Sequence, residues 1–98
     1  MDLDDINPVE NFSDLTIQSI ADRLHRTRTA EQCIYREVEL DELWRLIDIA
    51  VRSGDPDGLR NQSTLRTMRD LVHRAHDLVG MEGKPREAAT LLRQLLVA

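Results

Sequence analysis

The sequence predicts an all-α fold: a small bundle of about four helices whose last two pair as an antiparallel helical hairpin. Three observations carry that expectation. Four stretches repeat apolar residues in steps of three and four, the cleanest being Leu65, Met68, Val72, Ala75 and Val79, which keeps those side chains on one side of a helix. Aromatics are confined to Phe12, Tyr35 and Trp44. The core must therefore be built from Leu, Ile, Val, Ala and Met, a mixture that suits helices better than a sheet. Strong turn signals at Ser53-Gly54-Asp55-Pro56-Asp57-Gly58 and at Gly80 to Pro85 divide the periodic stretches.

The first helix is expected to start at Ser13, a good N-cap, with Phe12 and Ile17 at the spacing of a hydrophobic staple. Ile17, Ile20, Ala21 and Leu24 form its apolar stripe, and His25, Arg26 and Arg28 suit the negative end of the helix dipole near residue 28. Thr29 with Gln32 matches a capping box and opens a second helix over about 30–52. Val38-Glu39-Leu40-Asp41 alternates like a strand, so a kink near 38–41 is compatible with the pattern. The third helix begins between Asp57 and Ser63 and runs to about Met81, with Gly80 and Gly83 as its stop. Pro85 fits the first turn of a fourth helix, whose buried face would be Ala88, Leu91, Leu92, Leu95 and Leu96.

With 98 residues the chain suits one domain over 13–98, preceded by an acidic, flexible lead over 1–12. The 41% hydrophobic and 32% charged fractions are those of a folding chain. The net charge of -5 sits at one end: Asp2, Asp4, Asp5, Glu10 and Asp14 precede the first basic residue, and from residue 19 the 13 basic side chains face as many acidic ones. Such a balanced body disfavours nucleic acid as a partner. Twelve of the 13 basic residues are Arg. A single cysteine, Cys33, forbids an intrachain disulfide and suits a reducing compartment. The acidic start has the wrong charge for a secretory signal, and no apolar run reaches membrane-spanning length, so a cytoplasmic location is expected.

Chemistry is sparsely marked. His73 and His76, with Asp70 and Asp77 nearby, could be read as metal ligands, but the apolar stripe of the same helix turns them toward solvent, and a solvated polar face is the simpler reading. The 53–58 turn is similar to a calcium loop only until its closing position, which is Thr64 where a bidentate Glu is needed. Cys33 lacks a catalytic neighbourhood and suits a helix seam. With no phosphate loop, nucleophile elbow or H-E-x-x-H pair, no cofactor and no enzymatic activity are expected.

Residues 69–96, with Ala75, Val79, Gly83, Ala88, Leu92 and Leu95, resemble one tetratricopeptide-type hairpin over under a third of the chain. Residues 35–62 do not repeat it, so the resemblance implies helix–turn–helix geometry alone. The functional expectation is a small bacterial-type protein-interaction module, an adaptor, secretion-type chaperone or regulator. It would bind another protein or a second copy of itself through an apolar helix face, with the acidic lead as an electrostatic contact. Leu40, Leu43, Trp44 and Ile47 are its candidate partner-binding residues; a lone Trp on such a stripe reads as core, or as an anchor if it lies at the edge. The alternative is a dimeric ribbon–helix–helix DNA-binding regulator with a strand over 35–40, which Glu37 and Glu39 argue against. A metal-dependent enzyme using His73 and His76 is the third.

Overall fold

The structure, a computed structural model, describes residues 8–96. The acidic residues Asp2, Asp4 and Asp5 of the lead lie outside them. Four helices follow in order: α1 (Asp14–Arg26), α2 (Ala30–Ser53), α3 (Gln62–Gly80) and α4 (Pro85–Arg93), the last continued by a 3-10 turn at Gln94–Leu96. α2 packs along α3, α1 packs against α4, and α3 and α4 form the antiparallel hairpin, so the described residues make an all-helical bundle.

Local chemistry explains each boundary. Ser13 caps α1 by accepting from the Thr16 N–H at 3.3 Å, and both staple residues are buried, Phe12 at 8% and Ile17 at 0% exposure. α1 stops at Arg26, short of the expected residue 28, because the next helix claims the backbone. The Gln32 side chain accepts from the N–H of Arg28 at 2.7 Å and of Thr29 at 3.3 Å, while Thr29 Oγ1 accepts from the Gln32 N–H at 3.1 Å. That capping box requires extended backbone at Thr29, which ends α1 early.

α2 runs as continuous helix through residues 38–41, and no strand forms there. The strand that a ribbon–helix–helix layout places at 35–40 is helix. The alternation at Val38–Asp41 misleads because one inward position is charged: Tyr35, Arg36, Glu39, Leu40 and Leu43 are all buried, a spacing of 3.6 and not of two. Glu39, at 0% exposure, lies 3.0 Å from both Arg23 Nε of α1 and Arg36 Nη2 of its own helix. This ion triad ties α1 to α2, which otherwise touch only slightly.

Asn61 caps α3 by accepting from the Thr64 N–H at 2.9 Å. Its end is closed by the Lys84 N–H donating to the Leu78 carbonyl at 2.8 Å, which needs the left-handed turn that Gly83 supplies at φ 64°. Pro85 occupies the first turn of α4 as expected. Ala88, Ala89 and Leu92 are the fully buried residues of α4, whereas Leu91, Leu95 and Leu96 are half-buried against the same core. The chain of the lead that is described, residues 8–12, packs on the body: Phe12 is in the core and the Val9 N–H donates to Glu42 Oε2 of α2 at 3.2 Å.

Candidate functional site

The expected partner-binding stripe divides in two. Leu40, Leu43 and Ile47 have no exposed surface and hold α2 to the rest of the bundle. Trp44 lies at the stripe's edge, half-buried, and keeps part of its indole accessible. Recesses lie on both sides of the carboxyl-terminal half of α2, and about 200° around the helix separates Trp44 on one side from Leu46 on the other.

The more apolar recess, a groove of about 400 Å³, lies where the segment before α1 crosses the carboxyl end of α2. Phe12, Leu46, Ile49, Ala50 and Pro56 supply its apolar walls, with Glu10, Asp57 and Arg60 at polar positions. Its shape depends on two devices. Asp55 folds the α2–α3 loop around its own carboxylate: Oδ1 accepts from the Asp57 N–H at 3.0 Å, and Oδ2 from those of Leu59 and Arg60 at 3.1 and 2.9 Å. That carboxylate is thereby occupied by backbone N–H groups. Arg60 then reaches back across the chain, its guanidinium 5.5 Å above the Phe12 ring and 2.8 Å from Asp14 Oδ1. Of its apolar lining residues Ile49 is 53% exposed; Leu15 and Leu59, which do not line the groove, are 79% and 78% exposed. Large apolar side chains so open to water gain from being covered.

The second recess, about 380 Å³, lies between α2 and α3 and is lined by Asp41, Trp44, His73, His76 and Asp77. The histidines singled out in the sequence therefore do meet in a concavity, together with one of the two aspartates beside them. His73 Nδ1 is 3.7 Å from Asp77 Oδ2, a charged pair only when the imidazole is protonated. Asp70 does not line it. Among the described residues no group of three or more His, Cys, Asp or Glu is placed to hold a metal ion.

Cys33 is half-buried on α2, in a recess shared with Ile34, Glu37, Val79 and Gly80. Burial pushes its thiol up from the ordinary cysteine range, and the Glu37 carboxylate adds to that against the opposing pull of Arg36. A thiol held protonated is a poor nucleophile. No helix among the described residues is long and apolar enough to cross a membrane.

Two features of the site were missed in the sequence. The Arg60–Phe12 stack joins positions far apart in the chain and leaves no local signal. The Asp55 loop was legible as a turn, but its role as the wall of a groove appears only once the segment before α1 is laid across it. No family model, curated protein or solved structure matches the chain.

Proposed function

We propose that this chain is a cytoplasmic protein-interaction module, an adaptor, chaperone or regulator that binds another protein at the groove beside the carboxyl end of α2. The observation that supports this reading is the apolar character of that groove, walled by Phe12, Leu46, Ala50 and Pro56 and by Ile49, which is 53% exposed. A helix or extended segment offering two or three aliphatic side chains would cover this surface as one amphipathic face covers another. Of the four stripe residues, Trp44 retains surface for a contact of its own, while Leu40, Leu43 and Ile47 serve as the scaffold beneath.

The test combines native mass in solution with capture from lysate of the source cells, for the parent and for Ile49→Glu. Ile49 is open enough that the substitution should change stability by no more than about 0.5 kcal/mol. The expected result is a specific complex for the parent that Ile49→Glu abolishes at unchanged melting temperature. A monomer that recovers no protein, or a complex indifferent to Ile49→Glu, would overturn the reading.

A further inference from the structure

We infer that the outer face of α2 is a contact surface for a second copy of this chain, the two helices crossing antiparallel about a two-fold axis. The inference goes beyond the groove reading and shares only Ile49 with it.

Beyond its first turn, α2 exposes Ile34, Val38, Asp41, Arg45, Ile49 and Arg52. Steps of three and four set these six on one line about 27 Å long, on the side of the helix away from the buried Leu40, Leu43 and Ile47. The outer face of a bundle helix is ordinarily polar. α3 and α4 obey that rule and carry no exposed large apolar side chain among the described residues. On α1 there is one, Leu15. α2 has three, Ile34, Val38 and Ile49, at 57%, 39% and 53% exposure, and all three fall on the same line. Apolar side chains scattered singly over a surface need no explanation, but an aligned set on one helix marks a face that is covered.

The order of residues along the line names what covers it. From the amino end it reads apolar, apolar, acidic, basic, apolar, basic. An antiparallel crossing centred at the level of residue 43 sets Asp41 opposite Arg45 of the second copy and Val38 opposite its Ile49. Ile34 then lies against the aliphatic stem of Arg52 of the second copy. The two-fold axis makes each of these contacts twice. Within one copy Asp41 and Arg45 already pair at 3.3 Å, with side chains 58% and 69% exposed. The crossing closes two such pairs into a ring of four alternating charges between aliphatic patches, and leaves neither charge stranded. Other arrangements lose this match. A parallel crossing in register faces Asp41 with Asp41 and Arg45 with Arg45. Sliding the antiparallel pair until Ile34 meets Ile49 brings acid to acid at Asp41 and Glu42 and sets Arg45 on Val38.

One helix on one helix lies at the small end of specific interfaces, so sedimentation equilibrium of the full chain is run from about 5 to about 500 µM. A monomer–dimer equilibrium is expected in that range. Val38 is exposed and does not line the groove, so Val38→Glu should weaken the dimer at least about tenfold at unchanged melting temperature. Asp41→Arg alone and Arg45→Asp alone each set like charges together and should weaken it similarly. Mixed in equal amounts, these two variants regain complementary charges and should form a heterodimer about as tight as the parent dimer. A parent still monomeric at about 500 µM, a dimer indifferent to Val38→Glu, or charge-reversed variants that do not pair with each other would overturn the inference. So would a mixed dimer about tenfold tighter than the parent, the mark of a parallel crossing. Ile49-dependent capture of another protein by a chain that stays monomeric sinks this face and leaves the groove reading intact. A dimer that Val38→Glu dissolves, in a chain that captures nothing, does the reverse.

Discussion

Replacing Glu39 by Gln tests the energetics of the bundle most sharply. The carboxylate has no exposed surface, and its two oxygens face separate guanidinium groups, Arg23 Nε and Arg36 Nη2, each at 3.0 Å. Glutamine keeps the shape and removes the charge. One of its ends becomes an NH2 donor aimed at a donor, and the Arg36 guanidinium, 7% exposed, loses this counter-charge while staying in the interior. Breaking a buried pair from one side typically costs about 3–5 kcal/mol. Single domains of this size hold about 5–15 kcal/mol in all, so the variant would lose a large share of it. At roughly 4–8 °C per kcal/mol, the melting temperature should fall by about 12 °C or more. Urea and thermal unfolding followed by circular dichroism measure both quantities. A paired variant, Glu39→Leu with Arg36→Met, replaces the charges by apolar groups and should recover stability to within about 1 kcal/mol of the parent, since Arg23 has a path to water. A Glu39→Gln variant melting within about 3 °C of the parent would refute the view that this triad bears on stability.

The other expectations follow the same logic. Thr29→Ala removes one half of the capping box and should cost about 1 kcal/mol in urea unfolding, with residue 32 losing amide-exchange protection first. Asp55→Ala leaves three loop N–H groups to water; it should cost on the order of 1 kcal/mol and speed hydrogen exchange at residues 57, 59 and 60 while leaving α1 and α4 protected. Gly80→Ala places a methyl group where the Glu37 carboxylate lies, so the helix-propensity gain of about 1 kcal/mol should appear in full only in a Glu37→Ala background, a coupling that a double-mutant cycle reads directly. For Cys33 the folded state favours the protonated thiol. Its alkylation by iodoacetamide should therefore rise at higher pH than in the unfolded chain, and folding stability should decline as pH passes upward from the unfolded thiol's range through the folded one.

How much of this was legible in the sequence varies with the range of the interaction. Ser13, Thr29 with Gln32, Gly83 and Pro85 act through bonds a few residues long, and each marks its boundary as the chain alone suggests. The second helix was clear in its aliphatic half and ambiguous at 38–41, because Glu39 is an inward residue in outward dress. Its burial is compensated by Arg23 on another helix, a partner that no periodicity reveals. The candidate partner-binding residues show the same limit from the other side. Leu40, Leu43 and Ile47 share a face with Trp44 in the sequence, but which part of that face a neighbouring helix covers depends on how α3 and α1 pack, and the coverage ends just at the indole.

α2 has one more consequence. Its 24 residues make a rod of about 36 Å at the usual helical rise, matching the 37 Å longest dimension of the molecule. The groove and the tryptophan recess are therefore mounted on a single unbroken beam, on opposite flanks and about two turns apart. Their separation is fixed by the pitch of one hydrogen-bonded ladder and owes nothing to a hinge. Anything that grips both must be cut to that gauge.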